Sequence, residues 1–146
     1  MNKSKVISTI VTLVLTAGVA SADAGHGELH AAKDCSAYTG LPGSSCTFTS
    51  SNLAEIPIGS KLFYDQAAGI PTGLLDSNVV LDAGGGNRTR GRCTLDFSTA
   101  LGLCTFSDGT GDLTGFYARV TINCNPNPTQ CSVDGTYSYI PITAHQ

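Results

Sequence analysis

The stretch LGLCTFSDGTGDLTGFYARVTIN, residues 101–123, decides the fold. Two strand-like runs flank the turn-rich segment 107–112, whose Ser, Asp, Gly and Thr residues favour a tight connection. In the second run, apolar residues at the even positions 116–122 alternate with mostly polar residues at the odd positions 117–123. A period of two is typical of a strand with one face in an apolar interior. The stretch predicts neighbouring strands of an antiparallel sheet.

The remaining chain repeats this pattern in short segments. Residues 92–97 alternate in the same way, and further strand-like runs lie at 47–49, 61–65, 74–82 and 133–140. No helical repeat of more than two turns is found after residue 22. Strands that recur every eight to twelve residues indicate a barrel or a sandwich, and closure into a barrel hides every sheet edge. We therefore predict an all-β fold, a single small antiparallel β-barrel of about eight strands stapled by disulfides.

The N-terminal segment has the pattern of a secretory signal peptide. Lys3 and Lys5 precede the uncharged, largely apolar residues 6–20, and Ala20-Ser21-Ala22 fits a small-x-small cleavage site. We predict a signal peptide at 1–22, a flexible leader at 23–33, and the barrel domain at 34–146. The expected location is secreted or periplasmic, with no membrane span after signal cleavage.

Six cysteines follow the signal peptide, and an even number in an exported domain favours disulfides. Fifteen pairings are formally open, but the spacing favours local closure. The preferred bridges are Cys35–Cys46, Cys93–Cys104 and Cys124–Cys131.

The formal net charge of −3 gives no footprint for nucleic acid or an anionic membrane. The one basic cluster, Arg88, Arg90 and Arg92, alternates along a predicted strand and is interpreted as a solvated strand face. The sequence predicts no nucleic-acid partner.

No catalytic signature stands out. The histidines are His26 and His30 in the predicted leader and His145 near the C-terminus. Such terminal segments rarely hold a catalytic base in a fixed position relative to a substrate. His26, Glu28 and His30 carry side chains that can bind copper or zinc, but a solvated leader is the preferred interpretation of this segment. We therefore predict neither a metal nor a cofactor, and leave the catalytic residues unassigned.

Five segments resemble the barrels of the allene oxide cyclase superfamily, which includes dirigent proteins and many secreted bacterial proteins. They are IGSKLFYD (58–65), the run 69–82 with its internal Gly73, GRCTLDF (91–97), DGTGDLTGF (108–116) and DGTY (134–137). The resemblance implies an eight-stranded barrel with an apolar cavity, in which some members cyclise or couple small hydrophobic molecules. Glu55 matches the family's glutamate only by a loose alignment, and no cysteine lies near Leu74-Leu75, so no catalytic residue is carried over.

The prediction for function is a small hydrophobic molecule bound inside the barrel. Phenolic, charged and apolar side chains on the strands are the candidate ligand-binding residues: Glu55, Tyr64, Asp96, Phe97, Phe116, Arg119 and Tyr137. Two alternatives stay open. One is a cyclase or isomerase acting on a small apolar substrate, and the other is a non-catalytic extracellular structural or interaction protein, including a homo-oligomer.

Overall fold

Eight antiparallel strands pair in chain order and close into a barrel in the computed structural model, which describes residues 25–140. A short 3-10 turn at Gly111–Leu113 precedes the seventh strand. The strands are β1 (His26–Asp34), β2 (Ser45–Ser51), β3 (Lys61–Tyr64), β4 (Leu74–Asp82), β5 (Arg88–Asp96), β6 (Leu101–Ser107), β7 (Phe116–Asn123) and β8 (Gln130–Tyr139). The predicted all-β barrel is confirmed. No helix long and apolar enough to cross a membrane occurs between residues 25 and 140.

Apolar and polar residues alternate in β7 for the predicted reason, because one face of the strand lies in the barrel interior. Its residues are buried and exposed in strict turn, from the buried Phe116 to the exposed Asn123. β7 pairs with β6 on one side and β8 on the other, so its inner face is covered by the barrel interior. Val120 lies opposite Cys104 on β6 and opposite Gly135 on β8.

The predicted flexible leader at 23–33 is wrong where the structure describes it. Residues 26–34 form β1, which pairs with β8 at nine successive positions and also with β2. The inward side chains are Leu29, Ala31 and Lys33, and a small residue and a lysine at two of the three inner positions hide the strand pattern. Pairing on both sides holds the strand in place, so the barrel begins at His26 rather than at residue 34. The predicted signal peptide lies outside the described residues.

All three predicted disulfides are present: Cys35–Cys46, Cys93–Cys104 and Cys124–Cys131. They lie at one end of the barrel, called here the disulfide end, which is formed by loops 35–44, 65–73, 97–100 and 124–129. Each bridge closes a short loop, so each contributes roughly 2–3 kcal/mol in the chain-entropy model.

The opposite end, called here the packed end, is formed by loops 52–60, 83–87 and 108–115 and is filled with side chains. Ile56 and Leu113 are almost completely buried there. Phe116 lies 6.3 Å from the Tyr137 ring and 5.5 Å from the Tyr139 ring, measured between ring centroids. Space for a ligand inside the barrel is therefore found at the disulfide end.

Candidate functional site

A pocket of about 160 Å³ lies inside the disulfide end and is open to solvent on one side. All six half-cystines line it, and most of the other lining groups are apolar. The remaining lining residues are Lys33, Tyr38, Tyr64, Leu75, Thr94, Leu95, Phe97, Ala100, Ile122 and Pro128. Because the three bridges tie neighbouring strands and loops together, the walls are preformed.

Among the residues that the structure describes, Lys33 is the one charged side chain that lines this pocket. The alternation of β1 turns it inward, and only 3% of the residue is exposed. Its Nζ donates a hydrogen bond of 2.6 Å to Tyr64 Oη and lies 5.4 Å from the centroid of the Tyr64 ring. None of the ion pairs among residues 25–140 includes Lys33. The pocket thus contains a buried amine with no carboxylate against it and with hydrogen-bonding capacity left over.

Burial without a counter-ion lowers the pKa of Lys33 to about 8, because the apolar surroundings penalise the charged form. At pH 7 about a tenth of the side chain is then a neutral amine, far more than for a solvated lysine of ordinary pKa. The neutral amine has a free lone pair and is the nucleophilic form of lysine.

Two tyrosines share the pocket wall with the amine. Tyr64 is 2% exposed, and burial raises the pKa of its phenol, which keeps the hydroxyl protonated. Its Oη also lies 3.8 Å from Cys46 Sγ, and since that sulfur is in a disulfide and carries no hydrogen, the phenol is the donor of this weak contact. The Tyr38 ring meets the Tyr64 ring edge-on at 5.0 Å between centroids.

The Tyr38 hydroxyl is the second phenol on the pocket wall. It is buried and has no hydrogen-bond partner among residues 25–140. Burial, with a smaller effect from Tyr64, raises the pKa of Tyr38, so this phenol is also neutral near pH 7. A buried hydroxyl without a partner is costly, and a polar atom of a bound ligand would remove that cost.

The disulfide end is also apolar on its outside. Five of the eight large apolar side chains that are exposed among the described residues belong to this end: Leu41, Ile70, Leu74, Phe97 and Leu101. Phe97 both lines the pocket and is 46% exposed, so it stands at the opening. An apolar molecule longer than the pocket would meet further apolar surface as it leaves the barrel.

The structure brings together two of the seven candidate residues, Tyr64 and Phe97, which both line the pocket. Phe116 and Tyr137 also face the interior, but they stack on each other at the packed end. Arg119 lies on the outer face of β7 and is exposed.

The two acidic candidates also lie outside the pocket. Asp96 accepts hydrogen bonds from the Ser98 backbone N–H and hydroxyl, at 2.8 and 2.6 Å, so it shapes the β5–β6 turn. These bonds lower the pKa of Asp96. Glu55 is half-buried in the 52–60 loop of the packed end, and it contributes, after burial, to raising the pKa of Tyr139 to about 12.

Lys33 is the functional candidate that the sequence analysis missed, because the residue fell within the predicted leader. One signal in the sequence marks it. Leu29, Ala31, Lys33 and Cys35 stand at alternate positions, and the series ends in a half-cystine that must reach another strand. That spacing is typical of a strand with its lysine on the inner face.

The histidine cluster lies on the outer wall of the barrel. His30 Nδ1 is 2.8 Å from Asp134 Oδ1, and His30 Nε2 is 3.0 Å from Glu28 Oε2. The hydrogen bonds to Asp134 and then to Glu28 raise the pKa of His30. Within residues 25–140, no group of three or more His, Cys, Asp or Glu side chains is arranged to hold a metal ion. The cluster is a solvated network that joins the outer faces of the paired strands β1 and β8.

Compared with family models, curated proteins and solved structures, the chain gives no significant match. The resemblance to allene oxide cyclase barrels therefore stays a prediction based on the sequence segments.

Proposed function

We propose that this protein binds a small apolar molecule in the pocket at the disulfide end. The observation that carries the proposal is a preformed, largely apolar space of about 160 Å³ inside a closed barrel, with one amine and two phenols on its wall. An engineered apolar cavity of roughly this size in another protein holds benzene. The pocket therefore accommodates one aromatic ring or a short alkyl chain.

The other end of the barrel supports the same proposal by contrast. The packed end buries its aromatic side chains against one another, whereas the disulfide end has large apolar side chains exposed around an open pocket. A protein of this size would gain stability by filling the space, since close packing of apolar groups is favourable. Further depressions lie at residues 57–63 with 82–84 and beside Tyr137, but they are more open to solvent than the pocket at the disulfide end. A partly enclosed apolar pocket inside the barrel is best explained by a ligand.

Export is part of the proposal. The three disulfides support an extracellular or periplasmic location, because such bridges persist in oxidising compartments. The ligand would then be a molecule taken up outside the cytoplasm.

The size of the pocket sets the expected affinity. A ligand of about eight non-hydrogen atoms, each contributing about 0.6 kcal/mol, has a favourable binding free energy of about 5 kcal/mol. This corresponds to a Kd on the order of 0.3 mM. At tenfold excess over that Kd, binding stabilises the native state by about 1.4 kcal/mol. This corresponds to a rise in Tm of roughly 5 °C for a domain of this length.

The experiment is a thermal unfolding series of the exported protein with toluene, with its disulfides intact. The wild-type Tm is expected to rise with toluene concentration. Leu95→Trp, which fills the pocket, should abolish the rise, while the matched variant Leu103→Trp, half-buried on the adjacent strand and outside the pocket, should retain it. A Tm that toluene leaves unchanged in the wild type, or raises equally in both variants, would overturn the proposal.

A further inference from the structure

We infer that Lys33 is the nucleophile of a covalent capture site, whose amine forms an imine with a small apolar aldehyde that enters the pocket. The inference deepens the proposed function and rests on it, because the aldehyde occupies the same pocket. Packing alone does not require an amine at this buried position, and the imine gives that amine a chemical role.

The first support is the position of the amine. Lys33 Nζ lies on the pocket wall, its one hydrogen-bond partner among the described residues is Tyr64 Oη, and no carboxylate pairs with it there. An inward position of a small barrel is ordinarily filled by an apolar residue, because an unpaired buried charge is unfavourable. A lysine kept there against this cost is a functional candidate on physical grounds.

The second support is the chemistry that the surroundings favour. Apolar walls raise the neutral fraction of the amine, as the lowered pKa of Lys33 reflects, and only the neutral amine attacks a carbonyl carbon. Conversion of the ammonium into a neutral imine also removes a charge from an apolar site. Binding of a carboxylate ligand would instead require desolvation of a second charged group, which is unfavourable. The pocket therefore favours an aldehyde over an acid.

The reaction needs no further reagent. The Lys33 nitrogen attacks the carbonyl carbon, the C=O electron pair moves to oxygen, and the proton lost by nitrogen reaches that oxygen to give a carbinolamine. The carbinolamine then loses its hydroxyl group and the remaining N–H proton as water, and a C=N bond forms. Overall, aldehyde and amine give imine and water, with no change of oxidation state.

Tyr64 is placed to relay these protons. Its Oη accepts a hydrogen bond from Lys33 Nζ at 2.6 Å and carries its own O–H, so it can take a proton from nitrogen while passing its own to the carbonyl oxygen. The open side of the pocket lets water leave. Tyr64 is therefore a proton relay, and Lys33 supplies the bond to the ligand.

The test is reductive trapping with benzaldehyde and cyanoborohydride at pH 7, followed by intact-mass measurement and peptide mapping of the exported protein. Lys61 is an internal control, because it is the other lysine among residues 25–140 and is exposed. Lys33 should acquire a benzyl group at least about tenfold faster than Lys61, since the pocket holds the aldehyde beside the Lys33 amine and burial lowers the pKa of that amine. The N-terminal amine gives a separate peptide and is scored apart.

Three variants serve as controls, so the test does not depend on a single mutation. Lys33→Arg keeps a cation but should lose the trapped adduct, while Lys61→Arg should trap as the wild type does. Leu95→Trp leaves both lysines in place and should abolish labelling of Lys33 without altering labelling of Lys61.

The outcome separates the two proposals. If toluene raises the Tm of the wild type while benzaldehyde labels Lys33 no faster than Lys61, the imine is refuted and the pocket proposal stands. If toluene leaves the Tm unchanged and Lys33 is not labelled selectively, both are refuted. Selective labelling that survives in Leu95→Trp also overturns the inference, because the reaction would then not depend on the pocket.

Discussion

Replacement of Lys33 by methionine should stabilise the protein at neutral pH. The pKa of Lys33 is about 8 in the native state, against 10.5 for the free side chain. Below pH 8 both states are protonated, and the native state bears the full cost of the buried charge. That cost is about 3 kcal/mol, since each pKa unit corresponds to about 1.4 kcal/mol.

The cost of the buried charge declines as the pH rises. Between pH 8 and 10.5 the unfolded chain binds more protons at this lysine than the native protein does, so the contribution of Lys33 to stability becomes less unfavourable with rising pH. At pH 9.5 the remaining cost is about 1.5 kcal/mol. Tyr38 and Tyr64 are the other titratable groups on the pocket wall, and burial raises the pKa of both phenols.

The substitution has one opposing effect. Methionine cannot donate to Tyr64 Oη, and loss of that hydrogen bond costs about 1 kcal/mol. The net expectation for Lys33→Met is stabilisation by about 2 kcal/mol at pH 6.5, which falls to about 0.5 kcal/mol at pH 9.5.

Urea unfolding at the two pH values, with the disulfides intact, measures the difference as a free energy of unfolding. Lys61→Met is the matched control, because Lys61 is exposed on β3 and its replacement should change stability by no more than about 0.5 kcal/mol. A Lys33→Met variant that is less stable than the wild type at pH 6.5 would refute the reasoning. So would a stability difference that is the same at both pH values.

Three further outcomes are expected from other parts of the barrel. A Cβ at Gly135 would overlap the Arg119 backbone carbonyl oxygen of β7. Gly135→Ala should therefore destabilise the protein by more than about 2 kcal/mol in urea unfolding. An unchanged stability would contradict the close approach of β7 and β8 at this position. Joint replacement of Cys124 and Cys131 by serine should cost about 2 kcal/mol by the same assay, and a cost near zero would show that this bridge does not constrain the unfolded chain. Because hydrogen bonds raise the pKa of His30, an NMR titration should place it above 6.5, and Asp134→Asn should lower it; an unchanged value in the variant would contradict the contact.

The fold was predictable where one strand face is apolar and the other is polar. β7 shows this most clearly, because burial and exposure alternate at all eight positions. The disulfides were predictable for a related reason. Cys93 and Cys104 are directly opposite each other on adjacent strands joined by a short turn, so sequence spacing alone brings them together.

β1 could not be recognised in this way, since its inner face carries Ala31 and Lys33 where apolar residues are expected. The strand is held by pairing with β8, about a hundred residues away, and a local sequence pattern does not reveal such a contact. The missed strand also concealed the lysine.

The candidate site was predictable only in part, because a pattern of period two gives the face of a side chain but not its depth along the barrel. Tyr64 and Phe116 were both expected inside, and both are buried. One lies in the open pocket and the other in the packed end, and this difference depends on which loops fold over each end. The acidic candidates Glu55 and Asp96 have turn and loop roles that the strand pattern does not reveal.

The most direct test of the pocket proposal is a crystal structure of the disulfide-bonded protein soaked in bromobenzene, with anomalous scattering used to locate the bromine. We expect one strong bromine peak inside the disulfide end, between the half-cystines and the Lys33–Tyr64 pair, and no peak within the packed end. Pocket walls that have closed to fill the space, or bromine bound only on the outer surface, would contradict the proposal that this barrel is built around a ligand.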